Sequence, residues 1–580
     1  MIRLPIGRPR VFVYGSEPLC SRVVAELSAA GREVRLITPD QLARSRPGAV
    51  RTLILADPPA PADLIAAFLA RCGHSRARLI LMHRKDPPPP LREPDPSVRV
   101  RLETFAVENR AARALLARWP LHAGMDPPFG QGLHLLIAGF AAPAEAFLVQ
   151  ALRLIQYGEE RPTVSILSDD PASLSAGFHA AYPQAAQVAE LRFAPLASPA
   201  SALEGIPPVT LGLVSLGDPD GTVLGTVRTL VRTIAEVQGV SPPILLEIGD
   251  SEPSGDVGDW DGQLVPISHV REACRPGVLL DGIGDEVALS IHEHYCDSIA
   301  AQGRDPSAEA AGQPWSKLAA SYRQANRHQA DHLWAKLAVT DCRAVSEEMV
   351  ESFAFTPLEV ERLAIIEHRR WAADRYLDGW SYAPVRDNAR RHHPQLIPYA
   401  ELSEPMKDLD RFAVRGVPTL LARSGLGVVR MLIVGIPEPS PGADLGSRQD
   451  DLAVPLLERL RTRFPDRALI FATTLRDPGV RALVRLALEQ AGAGLFWLLP
   501  RPVGELLAAQ PDAGARRDLL ALAALAERRI GLRDEGELAR WLAERAEIAL
   551  VLGDPEPALG PAKRVRVCGG ARVLDWNFEY

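Results

Sequence analysis

The chain has little to offer a covalent or metal framework. Its six cysteines, Cys20, Cys72, Cys274, Cys296, Cys342 and Cys568, are scattered with no C-x-x-C spacing. That excludes the usual zinc arrangements and a disulfide scaffold, and buried thiols in a reducing cytoplasm are expected. Long apolar runs are also scarce. The best, over residues 133–155, is broken by His134, Glu145, Gln150 and Arg153, with Pro143 near its middle, so insertion into a membrane would be costly and a soluble chain is expected. Met1-Ile2-Arg3-Leu4-Pro5 contains no apolar core of signal-peptide length. Charge of one sign is lacking too. A net charge of -7 and an isoelectric point near 6.1 give no electrostatic reason for nucleic acid or an anionic membrane as partner. No G-x-S-x-G, Walker loop, H-E-x-x-H or kinase set occurs, which removes the enzymes that a single motif announces.

What is present begins with size. The 580 residues, 47% hydrophobic and 24% charged, suffice for about three to five domains with their own cores. The 51 prolines and many alanines and arginines suit a high-GC bacterial chain. Residues 10–15 read as a buried strand, followed by a helix over 19–30 and strands at 33–37, 52–56 and 78–82. Strands alternating with helices predict a doubly wound parallel sheet. The design recurs, with strands at 133–138, 163–167, 210–215 and 244–248. The pair resembles the TrkA-type Rossmann-like nucleotide-binding domain, in which an acid after the second strand holds a ribose; Asp169 is the positional match. A dinucleotide, however, needs glycines where the backbone meets the pyrophosphate. The first turn, Gly15-Ser16-Glu17-Pro18, lacks two of them and places an anion there, and the second keeps only Gly139. Both sheets are therefore expected to be scaffolds that NAD does not stabilise.

A helix over 285–300 carries His292, Glu293 and His294. Residues two apart on a helix face different sides, so no metal site is read there. The acid pairs Asp169-Asp170 and Asp450-Asp451 are read as solvated loop residues.

The densest chemistry lies at 314–425. Shifted by 84 residues, Pro314 falls on Pro398, Trp315 on Tyr399, Leu318 on Leu402, Arg323 on Lys407, Asn326 on Asp410 and Arg327 on Arg411; Ala330, Leu333 and Leu337 fall on Val414, Val417 and Leu421. A constant offset with apolar partners at helical spacing marks an internal duplication. Between the copies, Thr356-Pro357-Leu358-Glu359 signals a capping box and predicts a helix to about Leu377, stopped by Asp378-Gly379. On it Glu367, Trp371 and Arg375 share one face, with His368 on its edge.

These residues resemble the ryanodine-receptor (RyR) repeat domain in its bacterial form. The family pattern is met by Glu367, His368 and Trp371, by Gly379, Trp380 and Tyr382, by Arg386-Asp387, by His393, Pro394, Leu396, Pro398, Tyr399 and Leu402, and by Lys407, Asp410 and Arg411. Trp315, Asn326, Arg327 and His332 match in the flanking copy. Ala383 departs, where the family usually has glycine. The resemblance implies a nucleotide-sensing module. In that reading an indole stacks on a base, Arg375, Arg386 or Arg327 takes phosphates, and Glu367 accepts from an exocyclic amine. The bland alternative is that Trp371 and Trp380 fill a core and the arginines make structural ion pairs.

After Gly425 a third α/β unit is predicted, with strands at 428–434, 468–472, 494–499 and 548–552, the last closing on Gly553-Asp554. It resembles the SLOG family, Rossmann-like domains that bind or process nucleotides, mainly through Trp497-Leu498-Leu499-Pro500-Arg501-Pro502. The family's G-A-D element should lie near Pro478-Gly479-Val480, where its Asp is absent.

The expected architecture is a multidomain α/β chain: Rossmann-like units at 8–125 and 130–300, a mainly helical RyR unit at 312–425 and a SLOG-like unit at 426–580. The expected function is a cytoplasmic sensor with no required cofactor. Its partner would be a small nucleotide-like ligand, and a homo-oligomer remains open. The candidate ligand residues are Trp315, Asn326, Arg327, His332, Glu367, His368, Trp371, Arg375, Trp380, Tyr382 and Arg386. The alternatives are a nucleotide-processing hydrolase using the C-terminal unit and a self-assembling scaffold. A chain ending near Ser424 is expected to keep any ligand binding.

Overall fold

Three α/β sheets hold a duplicated helical unit between the second and the third. The computed structural model describes residues 11–44, 51–72, 77–84, 100–127, 132–217, 221–249, 263–280, 285–350, 352–438, 449–552, 563–567 and 574–576. The predicted close at Gly553-Asp554 and the side chains of Asp450 and Asp451 lie outside the described residues.

The first sheet contains β1 (Val11–Gly15), β2 (Val34–Leu36), β3 (Thr52–Ala56), β4 (Ala77–His83) and β5 (Val100–Ala106), all parallel in the order β2-β1-β3-β4-β5. Its edge strand β5 buries Glu103, held by Arg78 at 2.8 Å and Arg110 at 2.6 Å. Helix α1 (Val107–Arg118) then leads to the second sheet. That sheet contains β6 (His134–Ala138), β7 (Thr163–Ser168), β8 (Glu190–Pro195), β9 (Leu211–Val214), β10 (Ile244–Glu247) and β11 (Leu264–Ile267). Its order β11-β10-β9-β6-β7-β8 is the doubly wound one, with the switch point between β6 and β9. The N-terminal half is thus Rossmann-like by strand order.

Helix α2 (Ala142–Leu154) starts at that switch point, and helix α3 (His269–Cys274) returns to the first sheet. There Val270, Ala273 and Cys274 share a core with Val11, Val13 and Leu27, so the two sheets are tied by α1 and again by α3. Gly139 is at φ +81°, and a Cβ there would meet the Ser215 carbonyl oxygen at 2.2 Å. The glycine is needed to close the turn on the end of β9. Between α1, α2 and the ends of β9 and β10 lies a small cavity of about 10 Å³ lined by Ala112, Phe147, Leu213, Ser215 and Glu247, room for about one water. Asp170 caps the following helix by accepting from Ser173 N at 3.0 Å, while Asp169 stays exposed.

His134 is wholly buried, with Nδ1 2.7 Å from the Pro207 carbonyl oxygen and Nε2 2.9 Å from Ser165 Oγ. Burial lowers its pKa to about 4. Below the ordinary value near 6.5 the unfolded chain takes up a proton that the fold refuses. Stability is therefore full above pH ~6.5 and declines as pH falls toward about 4, by about 1.4 kcal/mol per unit for one such group. The melting midpoint is expected to drop between pH 7.5 and 5.5, and to drop less in His134→Gln, by calorimetry at both pH values.

The duplication is visible in three dimensions. Helices α4 (Asp285–Ala301), α5 (Ala320–Asp331) and α6 (Leu333–Val339) lead to β12 (Cys342–Ser346). Helix α7 (Pro357–Leu377), the short parallel pair β13 (Ser381–Tyr382) and β14 (His392–His393), α8 (Glu404–Arg415) and α9 (Val417–Ala422) lead to β15 (Leu426–Gly435). The 84-residue offset carries α5 onto α8 at both ends and Cys342 onto Leu426. The strands pair antiparallel with Ala344 opposite Val428, its own repeat mate, so a pseudo-two-fold axis passes between them. The predicted apolar mates Ala330 and Val414, Leu333 and Val417, Leu337 and Leu421 all lie in one core. Helix α4 is the counterpart of α7 at an offset of 76: His292 sits 5.6 Å from Trp315 as His368 sits 6.0 Å from Tyr399, and Arg327 pairs with Asp285 as Arg411 pairs with Glu361. The duplicated unit therefore reaches back at least to Asp285, the counterpart of Glu361. Its second copy has a connecting loop eight residues longer, the difference between 84 and 76.

The third sheet adds β16 (Arg467–Thr473), β17 (Gly494–Leu499), β18 (Arg528–Gly531), β19 (Ile548–Leu552), β20 (Lys563–Val567) and β21 (Leu574–Trp576). Its order is β18-β17-β16-β15-β19-β20-β21, with β12 on the first half of β15. The repeat unit and the C-terminal unit thus share one sheet. At the far edge Arg529 N donates to the Ala123 carbonyl at 2.7 Å, so the segment after α1 borders β18. Among the described residues no helix is long and apolar enough to cross a membrane.

Candidate functional site

Helix α7 forms as predicted because both halves of its capping box are made. Thr356 Oγ1 accepts from Glu359 N at 3.3 Å, and Glu359 Oε2 accepts from Thr356 N at 2.8 Å. The helix ends at Asp378, where Gly379 adopts φ +79° and leaves room for the Arg391 guanidinium, 3.0 Å from where a Cβ would stand.

The inner part of the helix is ionic. Glu367, 4% exposed, is gripped by Arg370 at 2.8 Å and by Lys336 of α6 at 2.7 Å. Burial pushes its carboxyl upward, but Arg370 and Lys336 outweigh this and hold it well below the carboxylate range. With both oxygens taken inside the protein, it is not available to an exocyclic amine. His332 is also internal: Nε2 donates to the Gln156 carbonyl at 2.9 Å and Nδ1 accepts from Lys336 at 3.2 Å, with burial lowering its pKa far below the usual value. Arg327 makes a two-pronged contact with Asp285 at 2.9 and 3.0 Å. Asn326 donates to the Tyr322 carbonyl in its own helix at 2.9 Å. His368 bridges the Ile397 carbonyl at 2.9 Å and Asp410 at 3.2 Å. Trp315 packs on the repeat core beside His292. These six predicted ligand residues hold the unit together.

The outer end differs. Trp371 is half-buried, with the His368 ring stacked 5.6 Å away and the edge of His393 at 4.9 Å. Trp380, also half-buried, meets His393 at 6.0 Å and has the Arg375 guanidinium 5.8 Å from its centre. Arg375 has no close ion pair: Asp374 and Asp378 stand off at 3.8 and 3.9 Å, and its Nε is buried without a hydrogen-bond partner. On the β13–β14 arm Tyr382 is 55% exposed, and exposed Arg386 donates from Nε to Asn388 at 2.9 Å. The arm borders an open groove of about 650 Å³ lined by Pro384, Val385, Arg386, Asp387, Arg390 and His392.

His393 joins the two indoles and was missing from the sequence-derived set, although its His-Pro motif marked it. Its pKa is lowered to about 4 by burial, then by Arg386, Arg375 and His368. Neutral at pH 7, it accepts from Gln395 N at 3.2 Å and reports positive potential at this end of the helix. The first copy has no such arrangement. Tyr295 replaces Trp371 and donates its hydroxyl to Glu309 at 3.0 Å, and buried Ile299 replaces Arg375.

Other candidate chemistry is dispersed. His292 turns to Trp315, whereas His294 stacks on Phe412 at 4.9 Å, as the two-residue spacing predicts. In the C-terminal unit, the helix start at Pro478-Gly479-Val480 is closed by Asp477, which accepts from Val480 N at 2.9 Å. Trp497 of the L-P-x-P stretch is wholly buried, its indole donating to the Thr474 carbonyl at 3.1 Å.

Residues 357–430 match the family model described as RyR domain, the span of the second copy alone. Among solved structures, the chain is similar to apo D-lactate dehydrogenase from Escherichia coli, at 8% identity over 51% of this chain and 98% of that one, with a TM-score of 0.19. It is also similar to a dipicolinate synthase chain from Bacillus halodurans, at 11% identity over 47% and 96%, with a TM-score of 0.20. Scores this low carry no argument, and the Rossmann-like assignment rests on strand order. The chain therefore contains an RyR domain at 357–430 within a multidomain α/β protein.

Proposed function

We propose that the second repeat copy binds a small nucleotide-like ligand at the outer end of α7, and that the chain is a cytoplasmic sensor of it. The observation that carries the reading is Arg375, a half-buried guanidinium with an unpaired Nε beside two half-buried indoles. A base on Trp371 or Trp380 would contribute about 1–3 kcal/mol, and Arg375, with Arg386 on the arm, suits a phosphate. The TrkA-type and SLOG-like assignments of the flanking units belong to the same proposal.

The expected result, with ADP as probe, is one site per chain by calorimetry, because the first copy lacks the cation. Arg375→Gln should retain the parental melting temperature and weaken binding by about 1.5–3 kcal/mol, the worth of a charge-assisted hydrogen bond. Equal binding by that variant would remove Arg375 from the site.

A second reading has one observation in its favour. Glu438, at the carboxyl end of β15, accepts from the Thr474 hydroxyl and has Arg476 at 3.8 Å; burial raises its carboxyl above the usual range. A carboxyl of raised pKa at the end of a parallel strand suits general acid chemistry. Nucleotide turnover that disappears in Glu438→Gln would favour this hydrolase reading.

A further inference from the structure

We propose that Arg153, from helix α2 of the second sheet, is a positioning residue of the α7 site: by holding Asp374 and Asp378 it keeps the Arg375 guanidinium free for an anion. The inference rests on the reading above and adds to it the element that controls it.

Arg153 lies in the last turn of α2, the helix whose first turn is at the switch point of the six-stranded sheet. Its Nη1 binds Asp374 Oδ1, and its Nη2 lies 2.9 Å from Asp378 Oδ1. Both acids also face Arg375, at 3.8 and 3.9 Å. Two guanidiniums therefore compete for the same two carboxylates. Coulomb attraction and hydrogen bonding both favour the shorter contacts, so Arg153 has them. His328 also binds Asp374 Oδ1, at 2.7 Å, and Arg370 stands 3.9 Å from Oδ2. Asp374 is thus fixed from several sides.

Asp378 is not. Its side chain is 40% exposed, and Arg391 occupies only its carbonyl oxygen, at 2.7 Å. Without the Arg153 charge, the Asp378 carboxylate would turn to Arg375, three residues before it, in an ordinary intrahelical pair. The cation would then be neutralised where the ligand needs it. The second sheet thereby sets the charge of a site that contains none of its own residues.

The test uses the full chain, ADP as probe, and histidine-labelled protein in which the His393 signal is assigned with His393→Gln. His393 is the internal reporter, since Arg386, Arg375 and His368 are the charged or titratable groups that lower its pKa. In Arg153→Gln the His393 pKa should rise by about one unit as Asp378 reaches Arg375, and ADP affinity should fall about tenfold. Asp378→Asn, at a half-exposed position, should bind ADP a few-fold more tightly, and in the double variant affinity should return toward that of the parent. If Arg153→Gln does not fold, Asp378→Asn decides alone. Binding of ADP by the parent, with affinity and His393 titration both unmoved in the variants, would overturn the proposal. A His393 shift without any ADP binding would uphold the positioning and overturn the nucleotide reading instead.

Discussion

Glu367→Gln is expected to destabilise the repeat unit by about 3–5 kcal/mol, the usual cost of removing one member of a buried ion pair. The carboxylate is the close partner of two buried cations, Lys336 at 2.7 Å and Arg370 at 2.8 Å. Without it, Lys336, 1% exposed, keeps the His332 nitrogen at 3.2 Å, and Arg370 keeps Asp374 at 3.9 Å, with Asp410 acting on both cations only through its charge. A glutamine of the same shape cannot offset either charge. Urea denaturation followed by tryptophan fluorescence should show an early transition. Glu367→Gln with Lys336→Met should recover part of the loss, since one of the orphaned charges is then gone. A single variant within about 0.5 kcal/mol of the parent, the range of neutral surface changes, would show that the triad is not structural. Loss of ADP binding in Glu367→Gln would therefore say nothing about ligand contact.

That expectation shows how far the helix was legible. Spacing of four predicted that Glu367, Trp371 and Arg375 share a face, and the capping box predicted the start of α7. Depth along the face was not legible. It depends on what packs against each turn: α6 brings Lys336 onto Glu367, while the long loop of the second copy leaves Trp371 and Arg375 half-buried. The 84-residue offset could be read because α5 and α8 have equal lengths. The 76-residue offset that equates α4 with α7 is masked by the longer loop, and few residues besides His292 and His368 repeat across it.

Strands showed the same division. Apolar runs such as Thr52–Ala56, Gly494–Leu499 and Ile548–Leu552 were read at their observed ends. The edge strands β5, β8 and β11 were not, for physical reasons. Strand β5 carries Glu103 inward against Arg110, β8 is half-exposed, and β11 contains Pro266, which an edge tolerates. Arg153 had no local signal at all, because its partners Asp374 and Asp378 lie more than 220 residues away.

A chain ended at Ser424 is expected to lose the folded repeat unit, contrary to the reading from motif boundaries alone. Such a cut removes β15, and with it the partner of β12 at every position from Cys342 to Ser346. It also removes Val428, which is buried in the same core as Leu333, Leu363 and Leu421, and Arg430, which binds Glu359 of the capping box at 2.6 and 2.8 Å. In the antiparallel register alternate residues of β12, Arg343 and Val345, turn their backbone groups to β15 and would be left unpaired, each unsatisfied group costing about 1–3 kcal/mol where it stays buried. A cut after Gly435 restores the pairing but strands Leu432 and Val434, which belong to the core of the C-terminal unit with Leu469 and Phe471. The repeat and C-terminal units should therefore unfold together in the intact chain. Hydrogen exchange followed by mass spectrometry should give β12, β15 and β16 a common protection, whereas independent domains would protect β12 and β16 separately. A soluble 1–424 fragment with a cooperative melt and parental exchange in α7 would show that the shared sheet is dispensable.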